Sequence, residues 1–376
     1  MNLTLCEEQE MLKTSTRDYL TSKFPKKVVK ELEATDAGYS AEIWKEMADL
    51  GWMGLVFPER YGGANMSFLD LAVLMEEMGR ACVPGPFFST VILGGLPILD
   101  VGTDEQKQKY LPGIASGKLT FTLALTEPEA GYDAASIAVK ATRSGNDYVI
   151  SGTKLFVPDA HIVDYMLCVA CTGVGKAEDR ITIFIVDAKN PSIKKTLLKT
   201  IANDKLFEVV FDNVKAPEVN ILGKLNGGWP EVQQIIERSA VAKCCDMVGG
   251  MQRVLEMTVD YARDRKQFDR PIGSFQIIQH YCADIATDVD GMRLSTYQAA
   301  WMLAENLPCK MEIAIAKAWA NQASVRIMSL AHQIHGAIGL TIDHDLHYYT
   351  RRAKADEVTF GDAAEHREVV AKEMGL

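Results

Sequence analysis

Two histidine pairs and one cysteine pair are the first groups in this chain whose spacing could support chemistry. His332 and His335 stand three apart in HQIHG, as do His344 and His347 in HDLH. A zinc-peptidase helix needs histidines four apart around a glutamate, so that both imidazoles meet one metal. Neither pair meets that rule, and both read as capping or loop-anchoring histidines. Cys168 and Cys171 form the CxxC of YMLCVACTG. Residues three apart on a strand face opposite sides, so the pair fits a buried strand better than a dithiol or a metal site. No metal is expected. A third stretch, EVTFGDAAE (Glu357–Glu365), sets Phe360 among acidic and small residues just beyond Arg351 and Arg352. Its ring either closes a helix against the core or stands where an ionisable group would be expected.

The scaffold that positions these groups is large. A chain of 376 residues forms two or three domains with sizeable cores. With 48% hydrophobic and 24% charged residues it has the balance of a globular protein. A formal charge of −10 and a pI near 5.3 repel polyanions, so neither nucleic acid nor an anionic membrane is expected as main partner. No stretch reaches the roughly 18 apolar residues of a membrane span. The start, MNLTLCEEQEM, lacks the basic and apolar regions of a signal peptide, and the expected location is cytoplasmic. The eight cysteines show no disulfide framework.

Hydrophobic periodicity divides the chain. Up to about residue 118 it reads mostly as helix: AEIWKEMADLG and SFLDLAVLMEEMGRA place apolar residues three and four apart, with Ser67 as N-cap of the second. From residue 119 to about 225 the segments LTFTLAL, AVKATRSGNDYVISG, YMLCVAC, RITIFIVDA and FEVVFDNV are short, with turn clusters between them, and predict a β domain. From 226 to 376 long helices return. Gly227, Gly228 and Pro230 open one that runs to about Asp264, roughly 50 Å long. Ser274 is the expected cap of a second to about Asn306; a third spans about Cys309 to His335, and a last follows His344. The expected class is α+β: an N-terminal helical domain, a middle β domain and a C-terminal four-helix bundle.

At this level the motifs converge. LGWMGLVFPERYGG (Leu50–Gly63), ALTEPEAGYD (Ala124–Asp133), RKQFDRPIGSFQ (Arg265–Gln276) and QIHGAIG (Gln333–Gly339) occur in order. Together they resemble the signature segments of the acyl-CoA dehydrogenases, along the whole chain. The resemblance implies FAD as cofactor and an acyl-CoA thioester as substrate. It also implies a tetramer of paired dimers, homomeric or heteromeric, and an electron-transfer flavoprotein as electron acceptor. It places cofactor contacts at Leu123, Thr126, Gly131, Tyr132, Phe156 and Pro158, and at Arg265, Phe268, Gln276, Gln333 and Gly336. Arg265 and Gln333 would serve a neighbouring subunit's cofactor. These residue types suit the roles: Thr126 offers a hydroxyl to the flavin edge, Gly131 permits close approach, and Arg265 can fork onto a phosphate. Taken alone, Gly336 and Gly339 would read as a helix-ending turn.

In the family reaction a carboxylate takes the α-proton of the acyl group while a hydride leaves the β-carbon for the flavin. Hydrogen bonds from the flavin ribityl chain and a backbone N–H polarise the thioester carbonyl. Many members carry that carboxylate as a glutamate at fixed spacing after the glutamine-glycine loop; here the position is Phe360. Others carry it on the long helix, where the position is Ser239. Asp246 lies within roughly 20° of Ser239's helix face, two turns on, whereas Glu237 points about 160° away. Asp246 is therefore the expected base, with Asp362 and Glu365 as further candidates; an ordinary acid paired with Lys243 is the plainer reading. Other departures are Tyr132 for serine, Phe156 for tryptophan, Pro158 for threonine, Asp269 for the glycine after Phe268 and Ala337 for a loop glycine. The uncharged segment VPGPFFSTVILGG favours an apolar or cyclic acyl group. Two alternatives follow from the missing carboxylates: a subunit of a heteromeric dehydrogenase whose partner supplies the base, or a flavin-containing acyl-CoA enzyme that performs a non-oxidative elimination.

Overall fold

The computed structural model describes residues 5–129 and 131–376. Helix starts follow the side chains able to cap them. The first helices are α1 (Glu7–Lys23), α2 (Lys26–Ala34), α3 (Ala41–Asp49) and α4 (Phe68–Ala81). Ser40 accepts from the Ile43 N–H, and Ser67 exchanges hydrogen bonds with Asp70 in a capping box, as its position predicts. A wider helical segment (Phe88–Gly95) leads into α5 (Leu96–Val101) and α6 (Asp104–Ala115).

The strands are β1 (Phe121–Ala124), β2 (Lys140–Ser144), β3 (Asp147–Pro158), β4 (Tyr165–Cys171), β5 (Ile181–Asp187), β6 (Ile193–Leu198), β7 (Leu206–Pro217) and β8 (Ile221–Leu222). They form one sheet in the order β6-β7-β3-β2-β4-β5-β8, with β1 parallel to β4 beside the main path. Its core gathers Ile150, Met166, Phe184, Val209 and Phe211. Cys168 lies fully buried on β4, as the strand reading of the CxxC requires, and burial pushes its thiol up to about 12. Strand β6 lies outside the segments predicted as strands. Its two lysines suit an edge strand, where one side has no neighbour, and disguise the strand pattern.

After the sheet come α7 (Trp229–Asp264), a two-stranded hairpin of β9 (Lys266–Gln267) and β10 (Arg270–Pro271), and then α8 (Gln276–Ala304), α9 (Lys310–His335), α10 (Leu346–Val358) and α11 (Ala363–Glu373). Two details differ from expectation. Ser274 does not cap α8; its hydroxyl donates to the Pro271 carbonyl, and Phe275 holds the N-cap position. The last expected helix is two helices. Phe360 (φ 58°) and Gly361 (φ 98°) break it, and Asp362 then caps α11 by accepting from the Ala364 and Glu365 N–H groups.

The chain divides into two compact units. One comprises residues up to Lys30, Ser67–Val83 and Ala240–Leu376 and is helical. The other comprises Glu31–Met66 and Pro84–Ser239 and holds the sheet. Within the helical unit, α4 and α7 cross at glycines. A Cβ on Gly249 would lie 1.7 Å from the Glu76 carbonyl oxygen, and one on Gly79 would lie 2.0 Å from that of Asp246. The same crossing buries Glu76, which is 2% exposed and meets Lys13, Arg293 and the Tyr297 hydroxyl. Gly249→Ala must push the helices apart or distort them, and should destabilise the protein by about 3 kcal/mol. A urea midpoint indistinguishable from that of the parent would show that the crossing tolerates a methyl group.

Candidate active site

The Thr126 loop is fixed from beneath by a buried ion pair. Lys154 on β3 is fully buried; its Nζ donates to Glu127 Oε1 at 2.6 Å and to the Leu125 carbonyl at 2.9 Å. Glu127 also accepts from the main-chain N–H groups of Ala138 and Val139. Burial pushes the Lys154 ammonium below its ordinary range, and the Glu127 carboxylate opposes that shift. Above the pair, the Leu155 N–H donates to the Thr126 carbonyl at 2.8 Å and ties the loop to the strand.

Immediately after this contact β3 bulges. Its register with β7 slips between Lys154 and Val157, and Phe156 takes φ 54°. A bulky residue in the left-handed region costs on the order of 1–3 kcal/mol, the kind of strain that collects at functional sites. The bulge turns Phe156 outward, 51% exposed, beside the half-buried Thr126. The Thr126 hydroxyl makes no hydrogen bond among the described residues. Pro158 accepts at its carbonyl from the Thr122 hydroxyl at 2.6 Å, and Leu123 lies packed within β1, 4% exposed. Gly131 has a local reason to lack a side chain: its Cβ would stand 2.0 Å from Ser136 Oγ, which Asp133 holds in a tight turn. Tyr132 is half-buried beside it.

In the helical unit a second group of expected site residues lies exposed. Phe268 (φ 54°) and Asp269 (φ 61°) make the two-residue turn between β9 and β10. Both central residues of such a turn need positive φ, which aspartate tolerates in place of glycine. Phe268 is 86% exposed, and Arg265 and Gln276 are exposed on either side of the hairpin. Gln333 is exposed on the last turn of α9. Gly336 ends that helix at φ 63°, ψ −144°, a conformation essentially confined to glycine. A Cβ there would meet nothing within 4 Å, so the loop is open on that side. Histidines anchor it, as their spacing suggested. His332 Nε2 meets Thr350 Oγ1 at 2.8 Å, His335 Nδ1 meets the Ala331 carbonyl at 2.8 Å and the His335 ring stacks on Tyr261. Among the described residues no group of histidine, cysteine and acidic side chains could hold a metal.

Phe360 is buried, 9% exposed, on a segment tied down at several points. Its carbonyl accepts from His366 Nε2 at 2.9 Å, and the Gly361 carbonyl accepts from Asn321 Nδ2 at 3.3 Å. Asp362 and Glu365 are engaged in capping α11. Ser239 is fully buried, and its hydroxyl has no hydrogen-bond partner among the described residues.

Asp246 faces a charged cluster. Lys243 Nζ lies 4.0 Å from Asp246 and 3.0 Å from Asp356 on α10, one turn before Phe360. Burial raises the Asp246 carboxyl; Lys243 and Arg352 oppose this and Asp356 reinforces it, leaving the group at about 6. The expected Lys243 partner is thus shared, and its shorter contact is with Asp356. Asp356 is not among the expected site residues, although its i,i+4 spacing from Arg352 on one helix is a usable signal.

The buried pair beneath Thr126 makes a direct prediction. Glu127→Gln leaves Lys154 buried without a counter-charge and should cost about 3 kcal/mol. It should also loosen flavin retention, and adding Lys154→Met should restore part of the stability. Thermal unfolding and the flavin-to-protein absorbance ratio of the purified variants read both effects; equal stability of the single and parent proteins would show that the pair holds nothing.

Family models cover nearly the whole chain: the acyl-CoA dehydrogenase N-terminal domain matches residues 6–118, the middle domain 122–214 and the C-terminal domain 226–375. A probable acyl-CoA dehydrogenase of Bacillus subtilis (strain 168) is 32% identical over 382 residues, covering 100% of each chain. The cyclohex-1-ene-1-carbonyl-CoA dehydrogenase of Geobacter metallireducens is 30% identical over 372 residues, covering 95% of each. Among solved structures, the ChsE4-ChsE5 complex from Mycobacterium tuberculosis matches with TM-score 0.91 and 27% identity, over 100% of this chain and 99% of that one. No helix among the described residues is long and apolar enough to cross a membrane. The chain belongs to the acyl-CoA dehydrogenase family, FAD-dependent oxidoreductases that act on the CH–CH group of acyl-CoA thioesters.

Proposed function

We propose that this protein is an FAD-dependent acyl-CoA dehydrogenase whose catalytic base is Asp246. The observation that carries the assignment is a half-buried carboxyl at about 6, set in a charged cluster one helical turn from Phe360. A general base works best with a pKa near the working pH, and this carboxyl has been moved most of the way there. Bound FAD supplies the hydride acceptor. The chain's own residues hold it: the unpartnered Thr126 hydroxyl and the outward Phe156 ring fit the isoalloxazine edge and face. Arg265 and Gln333 offer exposed donors, and the open space at Gly336 fits close approach of a phosphate. On this reading Asp246 takes the α-proton, while the Phe360 main-chain N–H polarises the thioester carbonyl.

The acyl group is apolar or cyclic. Val91, Ile92 and Leu93 in the uncharged segment after Val83 are buried, which suits an apolar chain, and a relative acts on a cyclohexene carboxylate thioester. The protein works in the cytoplasm as a tetramer and passes electrons to an electron-transfer flavoprotein.

Asp246→Asn should retain FAD and lose flavin reduction by acyl-CoA at least 100-fold, the lower end of what a positioned base contributes. Anaerobic stopped-flow bleaching of the flavin measures this, and a parent-like rate would remove Asp246 from the mechanism. The raised carboxyl also has a stability consequence. Above its ordinary value of 3.8 the unfolded chain loses this proton first, so the native state loses stability as pH rises from there to about 6. The asparagine variant should therefore melt at or above the parent's temperature at pH 8; a lower Tm there would mean that the ionised Asp246 is net stabilising.

A second reading rests on Phe360 and Ser239, which place no carboxylate at either familiar position. On that reading a partner chain supplies the base; a similar solved structure is, by its name, a complex of two components, ChsE4 and ChsE5. Purification of this chain alone without bound flavin, and with flavin after co-expression with a related chain, would favour it.

A further inference from the structure

The main chain and the side chain of the acid beside Asp246 have different partners. The main chain of Asp356 is fixed from the other side: Lys317, fully buried on α9, donates to the Asp356 carbonyl at 2.7 Å and to Asn321 Oδ1 at 2.6 Å. That lysine satisfies a carbonyl at the C-terminal end of α10, where a cation is favoured. The Asp356 side chain points elsewhere, to Lys243 Nζ at 3.0 Å, and lines the same cavity as Asp246. The two carboxyls share that ammonium, 4.0 Å from Asp246 and 3.0 Å from Asp356, and a negative neighbour this close favours the protonated form of the Asp246 carboxyl.

We infer that Asp356 is a positioning residue for proton transfer at Asp246, and that Lys243 sets the charge of the pair. The inference rests on the reading of Asp246 as the base. Asp246, Arg352, Tyr349 and Asp356 line a cavity of about 10 Å³, room for a single water. The groups facing the pair are Lys243 and Cys245 on α7, Arg352 and Tyr349 on α10 and Lys317 on α9. From α4 comes only Gly79, which has no side chain to intrude.

The proton balance is simple. With Asp246 and Asp356 ionised, their charges offset those of Lys243 and Arg352. A proton taken from the substrate α-carbon then sits on Asp246 as a hydrogen bond donated to Asp356, so the carboxylate that lost its charge gains a partner. The negative neighbour makes Asp246 a stronger base than burial alone would. Lys243 acts in the opposite sense by stabilising the ionised pair. The two side chains therefore pull the basicity of Asp246 in opposite directions, which a merely structural role for either would not do.

The test is the pH profile of anaerobic flavin reduction by acyl-CoA, measured on the FAD-loaded protein. In the parent the rate should rise with pH to a plateau. Asp356→Asn should shift the midpoint down by about one unit and lower the plateau; Lys243→Met should shift it up by a similar amount. If Asp356→Asn does not retain FAD, Lys243→Met carries the test alone. Midpoints that stay at the parent value in every variant that binds FAD, with Asp246→Asn inactive, would overturn the role of Asp356 and leave the base assignment standing. Full reduction by Asp246→Asn would remove the base assignment, and this inference with it.

Discussion

An unpaired charge cannot stay inside a protein without a penalty of several kcal/mol, and this chain buries charge wherever a piece of main chain must be held still. Lys154 and Glu127 meet beneath the Thr126 loop. Lys317 takes the carbonyl at the end of α10. Glu76 draws Lys13, Arg293 and Tyr297 onto α4. Each group is tolerable only while its partners keep their places, so each converts burial into position. Hydrophobic packing fills the sheet and the bundle, but it tolerates small slips. A buried lysine with two acceptors at 2.6–2.9 Å does not.

The Asp246 cluster follows the same rule with one difference. Lys154 has a single carboxylate to meet, whereas Lys243 has two, at unequal distances. Burial and the neighbouring Asp356 outweigh Lys243 and Arg352 there, and such a carboxyl holds its proton to higher pH. The glycines at the α4–α7 crossing contribute by omission. Gly79 packs against the Asp246 main chain, where a side chain would clash, and lines the same cavity as Asp246.

Much of this was legible in the sequence, and the exceptions have physical causes. The long helix to Asp264, the Ser67 cap and the buried strand around Cys168 followed from spacing and capping chemistry alone. Strand β6 was hidden because an edge strand needs no alternation and is protected by its lysines. Ser274 misled because a serine before a helix suits a cap and a turn equally well. The break at Phe360 was invisible for a different reason: nothing about a phenylalanine advertises a left-handed backbone, which only the surrounding contacts impose. The partners of Asp246 were missed for want of tertiary information. A helix wheel placed the aspartate on the face of Ser239, but the facing acid comes from a helix more than a hundred residues on in the chain.

The conformation of Phe360 also bears on what that segment is for. A phenylalanine at φ 58° is strained relative to a glycine or an asparagine, and His366 and Asn321 hold its segment in place through main-chain carbonyls rather than side chains. A buried ring in a site with no acid–base duty could relax the turn without loss. A turn that presents a main-chain N–H could not, since its direction is set by φ and ψ alone. On the proposed reading, then, the segment has parted with its proton-accepting side chain and kept the geometry that polarises a carbonyl. That division of labour places the burden of proton removal on the long helix, where Asp246 stands.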